Sequence, residues 1–230
     1  MTIETSGTVS AKDIATCFQD LSAGHTRYKQ GLAEHHQDSK KDREKFADHQ
    51  TPRICILACA DSRVPPEIVF DQQIGHMFVL RVAGNFADDD NQASLEYAIQ
   101  NFCPPPAIIV VLGHERCGAV KAAVETFDPD PKNSKPHRTH PSPRLKALVT
   151  RLKDAVEITK PPVSPTNKDE YEKRVDNAVR KNVEINVDKL KNNEVIQQSG
   201  AWVVGGRYDL DTGDIEWLTP TPNQLEIKLN

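Results

Sequence analysis

Ala107-Ile-Ile-Val-Val-Leu112, running directly into Gly113-His114-Glu-Arg-Cys117-Gly118, is the stretch on which the fold reading turns. Its apolar run is rich in β-branched side chains and too short for a helix, so it reads as a buried strand that Gly113 ends. Beyond Gly118 the period changes: Val120, Ala123, Val124 and Phe127 share one helical face. The same alternation recurs upstream. Arg53-Ile-Cys-Ile-Leu-Ala58 predicts a buried strand, and Met77-Phe-Val-Leu-Arg-Val82 predicts a second, ended by Ala83-Gly84-Asn85. A helix from about Asn91 then carries Leu95, Ala98, Ile99 and Phe102 on one face. Strands alternating with helices imply an α/β fold built on a mostly parallel central sheet with flanking helices.

Outside this centre the patterns are simpler. Ser10 predicts the cap of a helix carrying Ile14, Cys17, Phe18 and Leu21, with a second helix after Gly24. Leu145, Leu148, Val149, Leu152 and Val156 predict one amphipathic helix, broken by Pro161, Pro162 and Pro165. A long helix from about Asp169 to Asn193 carries Val175, Val179, Val183, Val187 and Leu190, with charged residues elsewhere. Trp202 to Tyr208 and Ile215 to Leu218 flank Asp211-Thr-Gly213 and predict C-terminal edge strands joined as a hairpin.

Two motifs carry chemistry. Cys59-Ala-Asp61-Ser-Arg63 follows the first strand, and His114 and Cys117 follow the third. In open α/β sheets, ligands collect beyond the carboxyl ends of the strands, so neighbouring parallel strands would bring both motifs to one edge. Two thiolates and an imidazole suit zinc, and three ligands leave the fourth tetrahedral position open, as in catalytic sites. Cys117 opens the next helix, where free N–H groups and the helix dipole favour a thiolate. A zinc so neutralised is expected to acidify bound water less than one held by three imidazoles. Asp61 has two alternative jobs: it accepts a hydrogen bond from zinc-bound hydroxide, or it joins the metal as a fourth ligand and closes the site. Arg63 is suited to holding its carboxylate off the metal by a bidentate pair.

Composition narrows the field. The 230 residues suffice for one domain with a sizeable core, and a net charge of -4 offers no basic surface for nucleic acid or an anionic membrane. No apolar run approaches the roughly 20 residues that span a bilayer. Met1-Thr-Ile-Glu-Thr lacks the basic and apolar regions of a targeting peptide, so a cytoplasmic location is expected. Five cysteines at irregular spacing argue against a disulfide framework and fit a reducing compartment. His25, His35, His36, His49, His137 and His140 sit in polar or charged surroundings and read as solvated side chains. No Gly-x-Gly-x-x-Gly turn follows a strand, which argues against a nucleotide-binding fold.

With both motifs in view, the chain resembles the β-class carbonic anhydrases. The resemblance runs through Cys59 to Asp71, Gly75 to Phe78, Arg81-Val-Ala-Gly-Asn85, Leu95-Glu-Tyr-Ala98 and Gly113 to Ala119. It implies zinc-dependent reversible hydration of carbon dioxide to bicarbonate and a proton, by attack of zinc-bound hydroxide. Hydrolysis of carbon disulfide or carbonyl sulfide at the same site is the alternative. By motif position, Cys59, His114 and Cys117 would hold one Zn2+ per subunit, and Asp61 and Arg63 would be the catalytic pair. Gln50 would hydrogen-bond substrate oxygen, often from a neighbouring subunit. Phe78 and Tyr97 would form the apolar wall for carbon dioxide, and the main-chain N–H near Gly84 would contact bicarbonate. A homodimer or homotetramer is implied, with the N-terminal helices packed on a partner. No tryptophan stands ahead of Cys59 as in relatives that close the site through Asp61, so the open form is expected. The expected organisation is a single domain over 1–230. It comprises an N-terminal helical arm at 1–45, a zinc-binding core at 50–127, a Pro-rich loop at 128–143, and C-terminal helices and edge strands over 144–230. The Pro-rich loop departs from the compact pattern of the family.

Overall fold

Strands β1 (Ile54–Ala58), β2 (Met77–Arg81), β3 (Ile108–His114), β4 (Trp202–Tyr208) and β5 (Ile215–Trp217) form one sheet in the order β2-β1-β3-β4-β5. The first four run parallel and β5 returns antiparallel on β4, so the sheet is mostly parallel, as the alternation of patterns predicts. The structure is a computed structural model and describes residues 8–35, 40–127, 142–160 and 167–226. Most of the Pro-rich stretch, with His36, His137 and His140, lies outside the described residues. Around the sheet lie α1 (Ala11–Lys29), α2 (Lys40–Lys45), α3 (Pro66–Val69), α4 (Asp89–Asn101) and α5 (Gly118–Phe127). They are followed by α6 (Pro143–Thr150), α7 (Lys153–Ile158), α8 (Lys168–Lys191), α9 (Glu194–Ser199) and α10 (Pro222–Glu226). No described helix is long and apolar enough to cross a membrane.

Side-chain alternation divides the core. Ile54, Ile56 and Ala58 of β1 point to the face covered by α1, with Phe18, Leu21, Phe70, Val110 and Val204. Cys55 and Leu57 point to the other, with Val111, Leu95, Val183, Val187 and Leu190. A third cluster, including Phe86, Val120, Val124, Leu152, Val175 and Val179, surrounds Cys59 and Cys117.

Within the chain, the first helix of the expected N-terminal arm packs on the sheet. Helix α1 buries Cys17, Phe18 and Leu21 against its own chain's sheet, and each large side chain so buried contributes roughly 1.5–3 kcal/mol. The helix expected after Gly24 is the continuation of α1. Gly24 does not break it; an added Cβ there would collide with the Phe70 carbonyl, so the glycine lets the helix lie against the chain after α3.

Three other boundaries differ. Strand β3 continues through Gly113 and His114 because β4 pairs with them, Gly113 opposite Arg207 and His114 opposite Tyr208. The helix expected across Leu145 to Val156 is two helices. The Arg151 and Leu152 N–H groups bond to carbonyls three residues back, tightening the turn, while Val149, Leu152 and Val156 still share one buried cluster. On α8, Asn182 and Asn186 are buried among the valines, so its polar positions are not all solvated.

Helix α8 crosses β4 at a glycine. A Cβ on Gly205 would stand 2.7 Å from Val183 Cγ1 and 2.8 Å from Val187 Cγ2. Gly205→Ala is therefore expected to cost about 1–3 kcal/mol, measured as a lowered denaturant midpoint at unchanged slope. An unchanged midpoint would contradict this packing.

Candidate metal centre

β1 and β3 are neighbours with Ala58 opposite Leu112, so the residue after β1 and the last residue of β3 emerge at the same sheet edge. These are Cys59 and His114. The turn Glu115-Arg116 then brings Cys117 back, directly ahead of α5. One ligand atom from each of the three residues lies within 4.8 Å of the other two, and all three residues are buried. Cys59 Sγ is 3.9 Å from Cys117 Sγ. A tetrahedral zinc with Zn–S bonds of about 2.3 Å separates its sulfurs by about 3.8 Å, so the spacing fits.

The imidazole supplies the second test. His114 Nδ1 lies 2.9 Å from the Glu115 carbonyl oxygen, which can only accept, so Nδ1 carries the hydrogen. That leaves Nε2 with a lone pair. The ring is fully buried, and Nε2 has no hydrogen-bond partner among the described residues. An orphaned buried acceptor is costly, and a metal ion bound beside the two thiols would satisfy it.

The two sulfurs bear on each other's charge. Cys59 is lowered, first by its hydrogen bond with Cys117 and also by the Gly84 N–H, against the cost of burial. Cys117 is pushed up, first by Cys59 and then by burial, although the Val120 and Ala119 N–H groups at the start of α5 pull it down. The pull of the helix start on Cys117 is outweighed by Cys59 and by burial. Without a cation the two sulfurs share a single negative charge, because two adjacent thiolates repel. A divalent ion would remove that repulsion.

Asp61 is tied to Arg63 three ways: Nε donates to Oδ1 at 2.9 Å, Nη2 to Oδ2 at 2.7 Å, and the Arg63 main-chain N–H to Oδ1 at 3.0 Å. These bonds hold its carboxyl well below the usual carboxylate range. Asp61 Oδ2 is 3.8 Å from His114 Nε2, but Asp61 is not part of the compact three-residue set. The bidentate pair expected of Arg63 is present.

Other sequence-predicted residues divide. Gly84 reaches the cluster, where its N–H donates to Cys59 Sγ at 3.4 Å. Its main chain is held by Asn182, whose Nδ2 donates to the Gly84 carbonyl at 2.8 Å. Asn186 accepts from the Ala87 N–H at 2.7 Å. Sequence reasoning missed both asparagines; the available signal was a pair of amides four residues apart on an otherwise apolar helical face. Gln50 is exposed on the stretch leading into β1 and makes no hydrogen bond to the cluster. Phe78 packs with Phe102 (5.6 Å between ring centroids) and Tyr97 (6.5 Å). It lies opposite Cys55, toward the other end of β1 from Cys59, and Tyr97 is 54% exposed. Within one chain these three residues are not assembled with the Cys59, His114 and Cys117 cluster.

A second acidic group, Glu115, Asp209 and Asp211, lies beside the ligand turn. Arginines account for it. Arg116 makes bonds of 2.9 and 2.7 Å to Asp211, and Arg207 lies 3.7 Å from Glu115 and 3.5 Å from Asp209. These pairs fasten the turn between His114 and Cys117 to the β4–β5 hairpin.

Comparison with known proteins finds relatives in sequence and in fold. The family model described as carbonic anhydrase matches residues 54–215. Carbonic anhydrase 2 of Mycobacterium tuberculosis is 44% identical over 108 residues, covering 47% of this chain and 51% of the relative. The Mycolicibacterium smegmatis carbonic anhydrase is 41% identical over 108 residues, covering 47% and 52%. The chain thus spans about half the length of these curated relatives. A structure from work on two tetrameric β-carbonic anhydrases of Sordaria macrospora superposes with a TM-score of 0.62 at 25% identity, covering 90% of this chain and 95% of that one. Fold, motifs and family match converge: the chain belongs to the β-class carbonic anhydrase family.

Proposed function

We propose that this protein hydrates carbon dioxide reversibly to bicarbonate and a proton, using one zinc per subunit held by Cys59 Sγ, His114 Nε2 and Cys117 Sγ. The observation that carries the reading is the buried, partnerless Nε2 of His114 grouped with two thiols 3.9 Å apart. Zinc bound there would supply Lewis acidity and an acidified water as nucleophile.

The remaining steps belong to the chain's own residues. Asp61, kept ionised by Arg63, accepts a hydrogen bond from the nucleophile and orients its lone pair toward the carbon. Its low proton affinity makes it an orienting acceptor, and the released proton passes to solvent buffer. Arg63 keeps Asp61 from becoming a fourth ligand, which supports the open form. Phe86, Val120 and Leu152 provide an apolar surround that limits water around the ligands. Gln50, Phe78 and Tyr97 lie apart from the ligands of their own chain, which supports a homo-oligomer in which a partner copy completes the pocket. The whole forms one domain.

The decisive experiment is carbon dioxide hydration by stopped flow, before and after zinc is removed by chelation and then restored. Activity is expected to vanish with the metal and to return with it. Full activity after verified zinc removal would sink the mechanism.

A further inference from the structure

We propose that Arg81 is a positioning residue that clamps the loop carrying both Cys59 and Asp61. Arg81 is the last residue of β2 and stands opposite Ala58, the last residue of β1. Its Nε donates to the Cys59 carbonyl at 3.1 Å and its Nη2 to the Asp61 carbonyl at 2.6 Å. The guanidinium therefore bridges two carbonyls on either side of Ala60. Only arginine offers a rigid fork of donors able to do this with one side chain. Among the described residues Arg81 has no ion pair with a carboxylate, so its hydrogen bonding is directed at this loop. The side chain is exposed, and burial does not account for its placement.

Main-chain ties alone hold the loop less fully. The Ala60 N–H donates to the Val82 carbonyl at 3.3 Å, and the Val64 N–H to the Asp61 carbonyl at 3.2 Å. Arg63 fixes the Asp61 carboxylate, but Arg63 belongs to the same loop and moves with it. Arg81 belongs to the sheet. It is the side chain that fixes the loop's main chain to the β2 end, keeping Asp61 Oδ2 at 3.8 Å from His114 Nε2 while Cys59 keeps its place among the ligands. The inference rests on reading Cys59 as a ligand and Asp61 as the orienting acceptor.

The test uses full-length protein, with amide hydrogen exchange as a readout independent of turnover. In Arg81→Met, the amides of Ala60, Arg63 and Val64 are expected to exchange about tenfold faster or more, the scale set by losing charge-assisted bonds at a partly exposed site. Amides of Ile56 and Val110 should be unchanged. The same variant should keep its zinc and lose about tenfold in kcat with little change in KM, the pattern of an interaction that matters in the transition state. Arg81→Lys, able to reach one carbonyl, should fall between. Wild-type exchange at the three loop amides would overturn the proposal. So would equal acceleration throughout β1 and β3, which would make Arg81 a general stabiliser. If Arg81→Met does not fold, Arg81→Lys decides by the same comparison. A wild-type protein without carbon dioxide hydration would refute the functional reading and leave the exchange result to judge the clamp.

Discussion

His114→Ala is expected to abolish stoichiometric zinc and, with it, carbon dioxide hydration, by more than the roughly 10–100-fold that outer-shell partners of a metal carry. The reason lies in the protonation of the metal-free site. Two adjacent thiolates repel, so Cys59 and Cys117 together present a single thiolate until a cation separates their charges. His114 Nε2, buried and without a hydrogen-bond partner among the described residues, is the third donor to the ion. Removing it leaves two buried sulfurs that must lose a proton to hold a divalent ion, with two ligands where a catalytic zinc uses three. The fold should survive. His114 ends β3, and its main-chain pairing with Tyr208 does not depend on the ring. Metal analysis per subunit and a melting curve separate these outcomes. A folded variant retaining one zinc per chain would remove His114 from the ligand set.

Much of this arrangement is legible in the residues themselves. Apolar runs at Ile54 to Ala58 and Ile108 to Leu112 announce buried parallel strands, and strand ends are where an α/β sheet collects ligands. The Cys59 and His114 motifs therefore predict their own meeting. What fails to show is anything set by contact between distant segments. Strand β3 outlasts Gly113 because β4 supplies a partner for it. Gly24 resembles a break between helices until the Phe70 carbonyl beside it is seen. Asn182 and Asn186 look like polar interruptions of a valine stripe, and their purpose is a loop about a hundred residues away in sequence. Phe78 and Tyr97 show the other limit: motif position joins them to the pocket, yet one chain alone keeps them in a separate aromatic cluster.

Asp61→Asn should separate catalysis from metal binding. The variant is expected to keep one zinc per subunit, because the compact ligand set consists of Cys59, His114 and Cys117 without Asp61. Its kcat is expected to fall about 10²–10³-fold, the range for losing one preorganised polar group at the reacting centre. The physical reason is the number of acceptors. The carboxylate has two oxygens, so it can take two bonds from the Arg63 guanidinium and retain a lone pair for the nucleophile. An amide has one oxygen. If that oxygen meets Arg63, the amide N–H2 faces the nucleophile and donates where an acceptor is needed. If it faces the nucleophile, the N–H2 opposes a guanidinium that has only donors. Either orientation loses the alignment. Arg63→Gln frees the carboxylate instead, and the prediction changes in kind: Asp61 can then approach His114 Nε2, already 3.8 Å away, and compete for the open position. Cobalt substitution would distinguish the two variants. Asp61→Asn should keep the wild-type visible spectrum while losing turnover, whereas Arg63→Gln should shift the spectrum as a carboxylate enters the coordination sphere. An Asp61→Asn protein with unaltered kcat would leave the orienting role without support, because zinc and the three ligands would then suffice for the chemistry.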